Sequence, residues 1–233
     1  MIEKSLEFNL PMHIVFIDFK KAFDSLKLES LWSLLETTPI NKAYIHLLKL
    51  AYDGSTASIK CDIGITRIIN ILRGVKQGDI LSPLLFCIVI AAVLYKTEED
   101  TKHCRPPDQD CTYSGYSIGG QVISNLGYAD DIAATNANRY NLQMSLSKLA
   151  KYAEEVGLKI NIDKTKCMTT DKQNRPLNLK VQGHRIEQVD EFQYLGHNIS
   201  NSNNHLTAIK HRISLGWAAF NNNSQTLKSS HIP

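Results

Sequence analysis

The sequence predicts an α+β domain built on an antiparallel, ferredoxin-like (split βαβ) sheet with helices on one face. Three observations predict it. The run His13 to Phe19 (HIVFIDF) is β-branched and aromatic, which is strand composition, and it carries Asp18 at its end. Gln121 to Tyr128 and Ile132 to Thr135 are two further strand-like runs separated only by Ala129, Asp130 and Asp131, the spacing of a tight hairpin. Helical periodicity lies between the first strand and this hairpin and again after it, so the order strand, helix, hairpin, helix, strand is that of a split βαβ unit. That architecture hosts many functions and by itself names none.

Taken in order, Phe23, Leu26, Leu31, Leu34 and Leu35 have helical spacing. After a break at Pro39 it resumes in Tyr44, Leu47, Leu48 and Ala51. Ser55 to Cys61 and Thr66 to Leu72 read as paired strands around Gly64. Gly74 to Gly78 is a glycine-bounded turn, and the next helix has Ser82 as its cap and Pro83 at its first position. That helix is apolar almost all round (LLFCIVIAAVLY), which predicts burial on every side. Thr97 to Cys111 is polar and proline-bearing, as a surface excursion is. Leu142, Leu146, Leu149, Ala150 and Ala153 share one face of a helix over Asn141 to Val156, stopped by Gly157. Leu158, Ile160 and Ile162 alternate with polar residues like a half-buried strand. A hairpin from Leu177 to Val189 around Gly183, a short strand at Phe192 to Leu195 and a helix over residues 204–220 complete the pass.

Bulk properties exclude some classes. At 233 residues, 43% apolar and 21% charged, the chain can bury one good-sized core or two small ones, and disordered and collagen-like classes drop out. A net charge of +3 neither demands nor excludes a polyanionic partner. Cys61, Cys87, Cys104, Cys111 and Cys167 are odd in number and contain no CxxC pair, which fits a reducing, intracellular setting, cytoplasm or nucleus. His103, Cys104 and Cys111, beside Asp108 and Asp110, have the wrong spacing for a zinc knuckle or ribbon. No signal peptide is read at the N-terminus. Pro83 to Tyr95 is shorter than the ~20 residues a bilayer span needs, so no membrane role is expected.

The chemistry concentrates in three aspartates. Turn chemistry alone accounts for Asp130 and Asp131 at a hairpin tip. Asp18 ends a buried strand of the same predicted sheet, however, and three carboxylates brought together at strand ends repel unless a cation lies between them. Oxygen ligands around Mg²⁺ are the usual remedy, and two such ions about 3.5 to 4 Å apart support in-line phosphoryl transfer.

FIDFKKAFD (residues 16–24), GVKQGDILSPLLF (74–86), YADD (128–131), GLKINIDKTK (157–166) and FQYLG (192–196) resemble reverse transcriptase motifs A to E, in order and with natural spacing. The wording is most similar to non-LTR (LINE-type, RTE-like) retrotransposons, over residues 13 to about 220. The resemblance implies a polymerase palm at residues 1–200, with the fingers largely missing, and the start of a thumb helix at 201–233. It implies an RNA-directed DNA polymerase whose partners are an RNA template, a DNA primer and deoxynucleoside triphosphates; it specifies no protein partner. Two Mg²⁺ ions, or Mn²⁺ in their place, would be held by Asp18, Asp130, Asp131 and the Phe19 carbonyl, with Asp131 the weaker or positioning carboxylate.

By the same resemblance Phe23 is a steric gate beneath the incoming sugar, Gln77 and Gly78 meet the nucleotide and template pair, and Lys164 acts on the departing pyrophosphate. Phe192, Tyr194, Leu195 and Gly196 form a primer grip. The plain readings stand beside these: Phe23 as a first core residue, Asp24 as a brace of its turn, Ser82, Pro83 and Phe86 as capping and packing, and 192–196 as an ordinary strand. Lys20, Lys21, Lys60, Arg67, Arg73 and Lys76 are phosphate-contact candidates. So is a patch of Lys159, Lys164 and Lys166 if the chain there stays extended, and Lys210, His211 and Arg212 fit a thumb on a duplex minor groove. Two other readings stay open. A catalytically inactive RNA-binding ferredoxin-like module, or degenerate element remnant, would not need the acidic trio; a cyclase or other palm-type nucleotidyltransferase would not need Gln77-Gly78 or FQYLG.

Overall fold

The computed structural model describes residues 1–62, 64–102, 115–202 and 205–224. Its helices are α1 (Ile2–Glu7), α2 (Ala22–Ser25), α3 (Leu28–Glu36), α4 (Lys42–Tyr52), α5 (Ser82–Thr101), α6 (Arg139–Glu155) and α7 (His205–Asn222). The strands are β1 (His13–Ile17), β2 (Thr56–Ala57), β3 (Lys60–Cys61), β4 (Gly64–Ile65), β5 (Ile69–Asn70), β6 (Tyr116–Ile118), β7 (Gln121–Ile123), β8 (Asn125–Tyr128), β9 (Asp131–Asn136), β10 (Lys166–Thr169), β11 (Lys180–Val181), β12 (His184–Arg185), β13 (Glu187–Gln188), β14 (Glu191–Tyr194) and β15 (His197–Ser200).

The central sheet has the order β13-β10-β1-β9-β8, antiparallel except for the β10–β13 pair. The four strands β10-β1-β9-β8 are the split βαβ arrangement that the sequence predicts. Successive strand residues point to opposite faces, and the two faces bury different partners. Val15, Ile17, Ile132 and Ala134 join the helices in the larger core, against Leu31, Phe86, Val89 and Leu146. Ile14, Phe16, Ala133 and Met168 form a smaller core on the other face, covered by Met12, Tyr116 and the partly buried Phe192 and Tyr194.

Helix α6 forms as its spacing predicts. The Asn138 side chain caps it by accepting from the Tyr140 amide at 2.7 Å, and Leu142, Leu146, Leu149, Ala150 and Ala153 are all buried. It ends at Val156, and Gly157 follows at φ +93°. A Cβ on Gly157 would lie 2.6 Å from the Ser25 carbonyl oxygen, so this position needs glycine twice over.

Elsewhere the structure corrects the sequence reading. Helix α5 begins at Ser82 with Leu81 as its cap residue, and the Ser82 hydroxyl lies 3.2 Å from that of Tyr52 instead of capping. Burial on every side fails, with Leu84 58% and Tyr95 66% exposed, because α6, α3 and the sheet cover only one side of α5. The polar stretch after Thr97 starts as the end of α5, where Thr97 and Thr101 are buried and each donates its hydroxyl one turn back; residues 103–114, with His103, Cys104, Asp108, Asp110 and Cys111, lie outside the described residues. On α4 the buried residues are Ile45 and Tyr52, whereas Tyr44 and Leu47 are exposed, so the inward face is rotated from the expected one.

The strand expected over Leu158 to Ile162 reduces to one bridge, Phe19 to Ile160. The chain then turns, with the Thr165 amide donating to the Asn161 carbonyl at 2.9 Å, and the sheet strand is β10. The pair around Gly64 splits into two short ladders, β2–β5 and β3–β4, whose registers are offset by one residue, with the Ile59 amide donating to the Thr66 hydroxyl between them. Gln121 to Tyr128 is likewise two strands, β7 pairing with β6 and β8 with β9. The hairpin around Gly183 forms as expected, and β15 is a strand the sequence reading lacks. Among the described residues no helix is long and apolar enough to cross a membrane.

Gly157→Ala is expected to destabilise the chain by about 1–3 kcal/mol, since it adds left-handed strain to a backbone clash. Urea unfolding of the two chains measures it.

Candidate active site

The register of β1 against β9 builds the centre of the site. Ile17 pairs with Ile132, so the next pair outward is Asp18 beside Asp131. Both lie on the face opposite the helices, because Ile17 and Ile132 belong to the helix-side core and side chains alternate. Asp131 is the first residue of β9, pairs with Tyr128, and is preceded by Ala129 in the left-handed region at φ +53°. Asp130 thus occupies the two-residue turn, as the hairpin reading requires.

Both backbone polar groups of Asp18 are held. Its carbonyl accepts from the Asn161 amide at 2.8 Å, and its amide donates to the Thr165 hydroxyl at 3.3 Å. Its carboxylate oxygen Oδ2 is buried and has no hydrogen-bond partner among the described residues. Crowding by protein atoms, then the charges of Asp130 and Asp18, raise the Asp131 carboxyl above the ordinary aspartate range. Among the described residues no three acidic, histidine or cysteine side chains stand close enough to form a ready-made ion cage. Even so, an unpartnered buried carboxylate oxygen beside mutually repelling carboxylates, in an all-oxygen donor set, fits a hard divalent cation.

Asp18 and Asp131 open into a cleft of about 390 Å³ that Lys164, Phe192, Tyr194 and Leu195 also line. Lys164 is exposed and makes no ion pair among the described residues, whereas Lys166 pairs with Glu187 at 2.6 Å and donates to the Asp163 carbonyl. The expected patch of Lys159, Lys164 and Lys166 therefore does not form: the chain turns between them and Lys166 is neutralised. Phe16 stacks on Phe192 with centroids 4.4 Å apart, and the Tyr194 hydroxyl donates to the Asp131 carbonyl at 3.3 Å. Those rings dock β14–β15 onto the sheet. Leu195 and Gly196, both at positive φ (48° and 75°), form the tight turn between them and leave Leu195 exposed at the cleft.

A second group lies at α2 and the glycine-bounded turn. Phe23 is partly buried and stacks on Phe86 with centroids 4.6 Å apart. Asp24 braces the turn as expected, accepting from the Gln77 side-chain amide at 2.9 Å. Gly74 admits that contact, since a Cβ there would lie 2.8 Å from the Asp24 Cα. Gly78, at φ +86°, closes the turn in which the Asp79 amide donates to the Lys76 carbonyl. Phe19 is buried, and no donor reaches its carbonyl among the described residues. Lys20, Lys21, Lys60, Arg67 and Arg73 are exposed. Lys76 is engaged, donating to the Ala51 carbonyl at 2.7 Å and lying over the Tyr52 ring. On α7, Lys210 and Arg212 are exposed, and the His211 side chain lies outside the described residues.

The chain matches the reverse transcriptase (RNA-dependent DNA polymerase) family over residues 7–199. It belongs to that family. Among curated relatives it is 28% identical to the Pol polyprotein of the type-2 retrotransposable element R2DM of Drosophila melanogaster, over 81% of this chain and 18% of that one. It is 30% identical to the Pol polyprotein of the type-1 element R2 of Nasonia vitripennis, over 79% of this chain and 18% of the relative. These R2 elements carry the non-LTR retrotransposon class and do not reach the narrower RTE-like grouping. The chain spans about a fifth of their length. A solved telomerase from Candida tropicalis, in complex with a fragment of telomeric RNA, shares the fold: TM-score 0.58 and 15% identity, over 86% of this chain and 30% of that one.

Sequence reasoning missed Asn161 and Thr165 in this member of the family. Both lie inside the quoted KINIDKTK segment, but only the fold brings them to Asp18.

The raised Asp131 carboxyl has a consequence for stability. The folded chain holds that proton more tightly than the unfolded chain, so stability falls as pH rises from the ordinary value of 3.8 through the raised one, and the deficit persists above it. In metal-free buffer near neutral pH, Asp131→Asn is therefore expected to melt higher than the parent. The difference should vanish when the pH is brought below the ordinary aspartate value; melting curves across pH measure it.

Proposed function

We propose that this chain is the palm and first thumb helix of an RNA-directed DNA polymerase, extending a DNA primer on an RNA template. The observation that carries the reading is the meeting of Asp18 and Asp131 from distant parts of the sequence at one cleft, with a buried Asp18 carboxylate oxygen that has no hydrogen-bond partner among the described residues. Family membership and the likeness to R2 polyproteins support the polymerase reading over a non-catalytic RNA-binding module. The division is palm over 1–200 and thumb from 201, and the free thiols Cys61, Cys87 and Cys167 suit an intracellular setting.

Asp18 and Asp130, with Asp131 as the weaker ligand and the open Phe19 carbonyl, would hold two Mg²⁺ ions, or Mn²⁺. Bound there, they supply the Lewis acidity that favours the primer 3′-oxyanion and offsets charge on the departing pyrophosphate. The chain's own groups do the rest. Lys164, exposed at the cleft and without an ion pair among the described residues, offers a cation or a proton to the pyrophosphate. The Leu195-Gly196 turn, rigidly docked through Phe192 and Tyr194, presses on the primer backbone. Gln77, held by Asp24, and the bare Gly78 backbone meet the nucleotide and its template pair. Phe23, fixed by its stack on Phe86, presents its free edge to the sugar and excludes a 2′-hydroxyl.

The direct test is primer extension on an RNA template with Mg²⁺, comparing the chain with an Asp130→Ala, Asp131→Ala double variant. Extension by the parent and its loss in the variant is the expected result; equal activity would defeat the assignment. Phe23→Ala is expected to lower the ratio of deoxynucleotide to ribonucleotide incorporation on the order of tenfold, while an unchanged ratio in a folded variant returns Phe23 to the core. With Lys76 and Lys166 engaged internally, the electrostatic grip on a duplex is modest. Product lengths should therefore be short and shrink further as salt is raised.

A further inference from the structure

We infer that Thr165 is a positioning residue for Asp18, and that the turn Asn161–Thr165 fixes the Asp18 carboxylate and presents Lys164 as one mechanical unit. The inference rests on the polymerase reading of the cleft and deepens it.

Asp18 lies between the last ladder pair of β1, Ile17 with Ile132, and the single bridge of Phe19 with Ile160. The turn that follows Ile160 adds a hold on its amide. The Asn161 amide donates to the Asp18 carbonyl at 2.8 Å, the Asp18 amide donates to the Thr165 hydroxyl at 3.3 Å, and the Thr165 amide donates to the Asn161 carbonyl at 2.9 Å. These three bonds link Asp18, Asn161 and Thr165 at both ends of the turn. Thr165 is fully buried, so its hydroxyl has no water to turn to and its rotamer is set by packing. Lys166, the next residue, is locked by Glu187 and by the Asp163 carbonyl, which fixes the backbone on either side of Lys164 while leaving that side chain free.

Rotation of the Asp18 backbone would displace its carboxylate at the cleft it lines, and reacting groups misplaced by about 1 Å can lose on the order of 10²-fold in rate. A hydroxyl that holds the backbone of a carboxylate therefore acts on the chemistry without touching substrate. The coupling also runs the other way: whatever Lys164 contacts is felt at Asp18 through two bonds of the same turn.

The test compares Thr165→Val, which keeps shape and removes the acceptor, with Thr165→Ser, which keeps the hydroxyl. Two readouts are taken on the full chain: Mn²⁺ binding by electron paramagnetic resonance with no nucleic acid present, and kcat against KM for single-nucleotide incorporation. The valine variant is expected to weaken Mn²⁺ binding several-fold and to lower kcat about tenfold with KM for the nucleotide little changed, and the serine variant to restore both. Where the valine chain does not fold, Thr165→Cys, whose thiol is a weak acceptor, takes its place. Unchanged Mn²⁺ binding and kcat in the folded valine or cysteine variant would overturn the inference, as would a serine variant as impaired as valine. Asp18→Asn separates the two claims: if it leaves Mn²⁺ binding intact, the polymerase reading of the cleft fails, whereas if it abolishes binding and Thr165→Val does not weaken it, only the positioning role fails.

Discussion

The site depends on one constraint, the register of β1 against β9. Because Ile17 faces Ile132, Asp18 and Asp131 become neighbours at the strand ends, on the face that the helices leave open. Side chains alternate along a strand, so a slip of β1 by one residue would send Asp18 and Phe16 into the apolar helix-side core and part Asp18 from Asp131. That core fixes the register: Val15, Ile17, Ile132 and Ala134 bury together against α5 and α6 only in this pairing. Hydrophobic packing on one face of the sheet thereby sets the electrostatics of the other.

The two faces differ in how they are covered, and this difference makes the cleft. Long helices seal one side. The other is roofed by the short β14–β15 hairpin, docked through Phe192 and Tyr194 onto Phe16, and the cleft lies between this hairpin and the strand ends at Asp18 and Asp131. The same rings that the family resemblance assigns to a primer grip thus do structural work, while the exposed part of the motif is its turn, Leu195-Gly196. The structural and functional readings of this segment apply to different residues within it.

The corrections share a cause. The apolar pattern of α5 says that the helix is hydrophobic but not how many neighbours cover it, and one of its sides, with Leu84 and Tyr95, is left bare. The alternation from Leu158 to Ile162 describes a strand, yet it pairs only at the Phe19–Ile160 bridge before the Thr165 amide bonds back to the Asn161 carbonyl and closes a turn. Lys76 and Lys166 read as phosphate contacts, and each instead finds an internal acceptor that is distant in sequence.

The sequence by itself determined the split βαβ order, the buried face of α6, the hairpin with Asp130 in its turn, and the motif order that places the chain with reverse transcriptases. Each is written in local periodicity, turn chemistry or short-range spacing, which neighbouring residues settle among themselves. The convergence of Asp18 with Asp131 was expected from the sequence, but only the tertiary structure decided the register that sets it, that Asp24 holds Gln77, that Phe23 stacks on Phe86, and that Thr165 and Asn161 hold the Asp18 backbone. Those contacts join residues far apart along the chain, and their geometry is fixed by packing and register, which no local pattern encodes.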